Sequence, residues 1–150
     1  MKPLTREWVE KAEGDYASAQ RELRARKNPN YDAACFHSQQ CVEKYLKARL
    51  QETDLRFPRT HDLVVLAGLL REVEPLWQPL EPELRVLTVF AVETRYPGAS
   101  ADRETAGEAL SACRKLRTVI RDALGLAETA AKRTSPRAPR RQITKRKKTK

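Results

Sequence analysis

The chain has 150 residues, of which 30 are Lys or Arg and 20 are Asp or Glu, so the formal net charge is +10. This length suits one domain with a single core. No apolar run approaches the roughly 20 residues that a membrane span requires, and no apolar segment follows the first residues as it would in a signal peptide. We therefore expect a cytoplasmic protein with no membrane contact.

The excess positive charge comes from one segment. Residues 132–150 contain ten basic residues and no acidic one, so the other 131 residues hold 20 of each sign. Such a segment has nothing to bury and repels itself. The composition predicts a helical domain over residues 1–126 and a disordered basic tail over residues 127–150. From Lys132 to Lys150 the tail could contact RNA by releasing counterions, or it could act as a solubilising or protein-docking arm.

Three cysteines are present, so they cannot all pair. Cys35 and Cys41 lie about 9 Å apart along one predicted helix, which is too far for a disulfide. Free thiols favour a reducing compartment. Cys35, Cys41, Cys113 and His37 form a theoretical set of four zinc ligands. However, Cys35 and His37 face different sides of the helix, and no CxxC motif is present. We interpret the cysteines as small buried residues and expect no metal and no cofactor.

The first predicted helix spans residues 5–27. Thr5 is its predicted N-cap, and Asn28-Pro29-Asn30 ends it because the residue before a proline disfavours the helical region. We expect Gly14 to allow the close approach of a neighbouring helix. Apolar residues at spacings of three or four predict its buried face: Trp8, Ala12, Tyr16, Ala19 and Leu23.

The second predicted helix, residues 31–52, combines a wide apolar stripe with a polar strip. The stripe consists of Ala34, Cys41, Tyr45 and Ala48, widened by Phe36, Val42, Leu46 and Leu50. The strip consists of Gln39, Gln40, Glu43, Lys44 and Lys47. Polar groups near a core need partners. The strip therefore either holds a nucleotide or organises a dimer cleft with Arg95, or it forms a hydrogen-bonded network between helices with lysine stems over apolar surface.

Three further helices are predicted. Thr60 caps the third, Pro82 lies in the first turn of the fourth, and Ser100 caps the fifth, which ends at Gly125. Their candidate core residues are Leu63, Leu66, Ala67, Leu70 and Val73 in the third helix, Leu84, Val86, Leu87, Phe90 and Ala91 in the fourth, and Ala106, Ala109, Leu110, Cys113, Leu116, Ile120 and Leu124 in the fifth. No stretch alternates with period two for long enough to predict a sheet. The sequence predicts an all-α, antiparallel up-and-down bundle of four to five helices.

The order of the motifs resembles the HEPN domain, the higher-eukaryote-and-prokaryote nucleotide-binding domain, over about residues 5–124. The motifs are Tyr31-x-x-Ala34-Cys35-Phe36-x-x-Gln39-Gln40-x-x-Glu43-Lys44-x-x-Lys47-Ala48, then Thr60-His61-Asp62-Leu63, then Arg95-Tyr96-Pro97. The resemblance implies a homodimeric helical bundle. It also implies a partner, a separate small nucleotidyltransferase, with which the chain would form a two-part, toxin–antitoxin-like system.

Some members of this family are metal-independent ribonucleases with an Arg-x4–6-His motif, so the resemblance suggests Arg95 and His61 as candidate catalytic residues. No His follows Arg95 in the expected segment. Arg56 and His61 satisfy the spacing on a different element, and His61 could instead act only as a capping residue at the start of a helix. The candidate residues for binding nucleotide or RNA are Gln40, Lys44, Lys47, Arg95 and Tyr96.

Two functions follow as expectations from the resemblance and the polar strip. The first is a HEPN subunit that binds nucleotide or RNA, with metal-independent cleavage of RNA if His61 and an arginine meet in a dimer cleft. The second is a non-catalytic HEPN subunit that recruits substrate to the nucleotidyltransferase.

Overall fold

Five α-helices and one 3-10 helix form the part of the chain that the computed structural model describes, which is residues 1–126 without the side chains of Ala91 and Val92; no strand occurs in it. The elements are α1 (Pro3–Arg24), α2 (Tyr31–Glu52), α3 (Leu63–Gly68), a 3-10 helix (Pro75–Leu80), α4 (Glu81–Glu93) and α5 (Arg103–Ala123). The predicted all-α class is confirmed. The tail predicted for residues 127–150, and Ala91 as a core residue, lie outside the described residues.

Hydrogen bonds at both ends of α1 and α2 fix their antiparallel pairing. The backbone N–H of Lys2 donates to Glu52 Oε2 at 3.1 Å. At the other end, the backbone N–H of Asn30 donates to Glu22 Oε2 at 3.3 Å. The start of each helix is therefore tied to the end of the other.

The directions of the last two helices follow from similar contacts. The ion pair between Lys115 and Glu83, at 2.5 Å, joins the second half of α5 to the first turn of α4, so these helices run antiparallel. Asp32, in the first turn of α2, accepts a hydrogen bond from the backbone N–H of Ala101 at 2.6 Å, just before α5 begins. Helices α2 and α5 therefore start at the same end of the bundle and run parallel.

Helix α2 lies at the centre of the core. Twelve of its 22 residues are buried, because α1, α4 and α5 all pack on it. The buried side chains from the other helices include Val9, Ala12, Leu63, Leu66, Leu84, Leu87, Ala109 and Leu116. Over residues 1–126 no helix is long and apolar enough to cross a bilayer.

The bounds predicted for α2 are confirmed, whereas three predicted caps are wrong. Helix α1 begins at Pro3, whose fixed φ suits a first turn, so Thr5 lies inside the helix and is buried. The caps of α3 and α5 are Asp62 and Asp102, not Thr60 and Ser100, because each aspartate carboxylate accepts hydrogen bonds from N–H groups of the first turn. Aspartate is a strong N-cap for this reason.

Three predictions about helix faces and ends are also wrong. Helix α1 ends at Arg24 instead of residue 27, because the connection to α2 begins there and the backbone N–H of Asn30 donates to Glu22 in the last turn of α1. A Cβ at Gly14 would meet no atom within 4 Å, so no neighbour approaches there. Val73 and Val86 are 40% exposed; α3 ends at Gly68, so its periodicity does not continue to Val73. The predicted end of α5 near Gly125 is confirmed by the positive φ of that residue.

Candidate functional site

The candidate site is built on one face of α2. Phe36, Gln40, Glu43 and Lys47 recur at spacings of four, three and four, so they lie in a row along the helix; we call this row the α2 polar face. The start of the helix is fixed by its N-cap, Asn30, whose side chain accepts a hydrogen bond from the backbone N–H of Ala33 at 2.9 Å. The row therefore sits on a rigid element.

Glu43 is the centre of this face. Its side chain is only 4% exposed, and Lys47 Nζ lies 2.8 Å from Oε1. The side-chain amides of Gln39 and Gln40 donate to Oε2 at 3.0 and 3.2 Å. His61 Nδ1 approaches the same carboxylate at 3.1 Å. This is the hydrogen-bonded network that was one of the two alternatives for the polar strip.

The network keeps Glu43 ionised. Burial by itself raises the pKa of this carboxyl group, but hydrogen bonds from Lys47, Gln39 and His61 and the charge of Lys47 outweigh burial, so the pKa is lowered from its ordinary value. A buried charge is stable only when it is paired in this way. Because Lys47 neutralises Glu43, its own charge is already satisfied within the protein.

His61 differs from the rest of the network because its side chain is 70% exposed. The carboxylate of Glu43 holds Nδ1, and the backbone carbonyl of His61 accepts a hydrogen bond from Gln39 at 3.0 Å. Asp62, not His61, caps α3. The imidazole is therefore oriented from behind by a buried carboxylate while the ring faces solvent, an arrangement that fixes the tautomer of a histidine.

Arg95 and Tyr96 lie just after α4, at the other end of the α2 polar face. The guanidinium carbon of Arg95 lies 5.4 Å from the centroid of the Phe36 ring, as in a cation–π contact. Tyr96 is 68% exposed. Phe36 precedes Glu43 by seven residues, or about 10 Å along the helix axis. A single copy of the chain thus presents Arg95 and His61 on the same face, about two helical turns apart.

Lys44 belongs to a second polar cluster, between α2 and α1. Its Nζ lies 2.5 Å from Asp15 Oδ2, and His37 Nδ1 lies 2.8 Å from Asp15 Oδ1. Asp15 is buried. The carboxylate therefore joins a lysine and a histidine on the neighbouring helix.

The structure brings four of the six candidate residues together along the α2 polar face and its two ends: Gln40, Lys47, His61 and Arg95. Tyr96 lies next to Arg95 with its ring exposed. Lys44 points instead to Asp15. Sequence reasoning missed the role of Asp15, although its spacing of three from Ala12 and four from Ala19 puts it on the buried face of α1.

A third polar cluster joins α1, α2 and α5. Tyr45 donates its hydroxyl proton to Glu13 Oε1 at 2.6 Å, and Arg121 donates to both residues, at 2.6 Å to Glu13 and 2.9 Å to Tyr45. Arg117 also pairs with Glu13, at 2.7 Å. Burial, followed by the hydrogen bond to Glu13, raises the pKa of Tyr45. These contacts fix the register of three helices behind the α2 polar face.

The cysteines are free and buried. Burial raises the pKa of the Cys41 thiol well above its ordinary value, and a hydrogen bond to Cys113 raises it further. His37 is engaged with Asp15. Among residues 1–126, no group of three or more His, Cys, Asp or Glu side chains is placed to hold a metal ion.

Comparison with known proteins agrees with this architecture. A family model described as the HEPN domain matches residues 5–123. The chain belongs to the HEPN domain family. The crystal structure of TT1696 from Thermus thermophilus is similar to this HEPN chain with a TM-score of 0.69 and 27% identity, over 79% of this chain and 96% of that one.

A second solved structure, ST0689, is described as an archaeal HEPN homologue. It aligns with a TM-score of 0.59 and 24% identity, over 83% of this chain and 99% of that one. At this identity the likeness shows the fold alone. No curated protein matches the chain.

Proposed function

We propose that the α2 polar face, with His61 and Arg95 at its two ends, binds RNA or a nucleotide, and that this HEPN chain acts together with a separate nucleotidyltransferase. One observation carries the proposal: a solvent-exposed histidine held by a buried carboxylate and an exposed arginine seated on Phe36 share one rigid face. Both groups are available to a ligand, because His61 is held by Glu43 at Nδ1 alone and Arg95 contacts Phe36 while remaining exposed.

The chemistry of this face suits phosphate. The guanidinium of Arg95 can donate two parallel hydrogen bonds to phosphate oxygens, and His61 Nε2 can donate or accept beside it. The exposed ring of Tyr96 offers a surface on which a base can stack. The spacing of about 10 Å along α2 suits contacts to neighbouring nucleotides of a strand. Gln40 lies between the two ends. Lys47 contributes indirectly by keeping Glu43 paired, and Lys44 does the same for Asp15.

A second function, metal-independent cleavage of RNA, is favoured by the Glu43–His61 pair. Glu43 would hold Nδ1 protonated, and Nε2 would take the proton of a ribose 2′-OH as a general base. The 2′-oxygen would bond to the adjacent phosphorus as the bond from phosphorus to the 5′-oxygen breaks, and the protonated His61 or water would give that 5′-oxygen its proton. The reaction also needs a cation on the adjacent phosphate, within a few ångströms of the base. Arg95 of the same protomer is too far along α2 for that role, so cleavage requires the arginine of a second copy or Arg56.

A homodimer would supply such a second copy. Val65 and Leu69 are exposed one turn apart on α3 and at its end, Val73 is exposed in the turn that follows, and Val86 and Val89 are exposed on α4. Exposed apolar residues that form a patch are typical of interfaces. Leu69→Glu would then lower the mass measured by light scattering from that of a dimer to that of a monomer, while a monomeric unmodified protein would refute the dimer.

RNA binding tests the first function. Full-length protein, Arg95→Ala, His61→Ala and a matched control, Arg71→Ala, are titrated into a labelled single-stranded RNA while fluorescence anisotropy is measured. Arg71 is exposed and lies beyond α3. Loss of one charged contact is expected to raise the Kd about tenfold for Arg95→Ala and to change it little for Arg71→Ala. Equal affinities of all four proteins would refute binding at this face.

Cleavage is tested by incubating the same proteins with RNA in EDTA. Arg56→Ala is added to the set, and cleavage that disappears in His61→Ala and in either Arg95→Ala or Arg56→Ala supports the nuclease. Cleavage that persists unchanged in His61→Ala comes from a contaminant, and absence of cleavage leaves binding or substrate recruitment as the function.

The tail and the partner need separate experiments. If Lys132 to Lys150 contact RNA, the slope of log K against log salt falls in a chain truncated after residue 131, by about 0.7 per lost phosphate contact on single strands; an unchanged slope would exclude the tail. A nucleotidyltransferase encoded beside this chain should copurify with it at a fixed ratio, and absence of such a neighbouring gene would contradict the two-part system.

A further inference from the structure

A second cationic feature lies away from the α2 polar face. A cavity of about 560 Å³ opens where α1 ends and where α2 and α5 begin, and three arginines line it: Arg24, Arg26 and Arg103. Tyr31 forms an aromatic part of its wall, and none of the described residues that line the cavity is acidic. We call it the arginine cavity. Its volume lies within the usual range of small-molecule sites.

The charges of the three arginines are not neutralised within the described part of the chain. Within residues 1–126 none of the three takes part in an ion pair, and Arg24 donates only to the backbone carbonyl of Gln20, at 3.3 Å. By contrast, Lys44 and Lys47 on α2 are each paired with a carboxylate. Three guanidinium groups around one opening repel one another, and an anionic ligand would relieve that repulsion.

Three carboxylates at this end of the bundle have other roles. Glu22 accepts from the backbone N–H of Asn30, Asp32 accepts from that of Ala101, and Asp102 caps α5 by accepting from that of Thr105. The first bond joins the end of α1 to the start of α2, the second joins the start of α2 to the connection before α5, and the third caps α5. These acids therefore hold the two connections beside the cavity in place, whereas the arginines line it.

We propose that the arginine cavity binds the phosphate groups of a nucleotide, either free or within RNA. Arginine is the side chain best suited to phosphate, because its planar fork donates two parallel hydrogen bonds and remains charged at every physiological pH. Three such forks match a ligand with two or three phosphate charges. Tyr31 offers a ring against which a base can pack.

This site is distinct from the one proposed above. Tyr31 precedes Phe36 by five residues, which places the two residues about 7.5 Å apart along α2 and about 140° apart around it. The arginine cavity therefore faces the side of α1, whereas Arg95 stacks over Phe36 on the side of α4. A ligand in one site does not occupy the other, so the two can be tested separately.

Calorimetry on the full-length chain tests the proposal with three probes: inorganic triphosphate, ATP and a short RNA that lacks a terminal phosphate. The variant Arg24→Gln with Arg103→Gln removes two charges from the arginine cavity. A matched control, Arg6→Gln with Arg71→Gln, removes the same charge from exposed positions elsewhere. Arg95→Ala serves as the control for the α2 polar face. Circular dichroism confirms that each variant retains the helical fold.

We expect the Arg24/Arg103 variant to raise the Kd of at least one probe about tenfold or more, with little change in the Arg6/Arg71 control and in Arg95→Ala. An effect on ATP and triphosphate identifies a free nucleotide as the ligand, and an effect on the RNA alone identifies the phosphodiester backbone.

The proposal is overturned if no probe binds the unmodified chain, or if the Arg24/Arg103 variant binds every probe as the charge-matched control does. Binding that is lost only in Arg95→Ala would overturn it as well, while leaving the function proposed for the α2 polar face intact.

Discussion

Replacing Glu43 by Gln tests whether one buried carboxylate organises the candidate site. The substitution keeps the size of the side chain but removes its charge. Lys47 Nζ, 2.8 Å away and on a side chain only 11% exposed, would lose its counter-ion. His61 would lose the carboxylate that holds Nδ1. We therefore expect both stability and ligand binding at His61 to change.

The magnitude follows from the burial of the pair. Breaking a buried ion pair by removing one partner costs about 3–5 kcal/mol. The side-chain amide oxygen that replaces the carboxylate can still accept a hydrogen bond from Lys47, which offsets part of this cost by about 1 kcal/mol. We expect Glu43→Gln to lower the free energy of unfolding by about 2–4 kcal/mol at neutral pH.

Urea unfolding monitored by circular dichroism measures this change, and its pH dependence identifies the cause. The pKa of Glu43 is lowered on folding from its ordinary value of 4.5. Its stabilising effect is therefore fully present above about pH 4.5 and is lost as the pH falls through the folded value. The difference between the unmodified protein and Glu43→Gln should be largest near pH 7 and should shrink in acid.

A matched control is Glu81→Gln, which breaks an exposed ion pair with Arg85 on α4. Exposed pairs of this kind contribute about 0.3–0.5 kcal/mol. If Glu43→Gln lowers the free energy of unfolding no more than Glu81→Gln does, the network around Glu43 does not stabilise the fold. The same conclusion follows if the cost of Glu43→Gln is the same at about pH 3 and about pH 7, because the effect of the ionised carboxylate should be lost below about pH 4.5.

Three further predictions concern other parts of the bundle. Tyr45→Phe removes a hydroxyl that donates to Glu13 and accepts from Arg121; urea unfolding should show a loss of about 1–2 kcal/mol, and no loss would contradict the role of that cluster. Asp102→Ala removes the N-cap of α5 and should lower the urea midpoint in the same assay, whereas an unchanged midpoint would mean that another group caps the helix. Burial, followed by the charges of Asp32 and Asp102, raises the pKa of Cys35 to about 11. This thiol should therefore react with a thiol reagent at pH 8 only when the protein is unfolded in urea. Fast reaction of the folded protein would show that the structure around Cys35 opens readily.

Local patterns in the sequence predicted which segments form helices better than they predicted where those helices begin and end. The 3/4 spacing of apolar residues identified five helices, and the bounds of α2 were predicted correctly. The caps were less certain because Thr, Ser and Asp neighbour one another before α3 and α5, and each can accept from a first-turn N–H. Only the folded backbone shows that Asp62 and Asp102 accept those bonds.

The candidate site was predicted in composition but not in arrangement. The polar strip on α2 and the positions of His61 and Arg95 could be named from their motifs. The pairing of Lys44 with Asp15 could not, because the two residues are 29 positions apart and meet only when α1 packs on α2. The arginine cavity could not be predicted from the sequence either, because its arginines come from the end of α1 and the start of α5, which meet only in the folded chain.

The sequence by itself therefore determined the helical class, the bounds of α2 and membership of the HEPN family, because periodicity and motifs are properties of neighbouring residues. The tertiary structure decided which charged residues neutralise one another and which remain available to a ligand. That division depends on distances between helices. It leaves Lys44 and Lys47 paired with carboxylates, His61 exposed on a buried carboxylate, and Arg24, Arg26 and Arg103 around one open cavity.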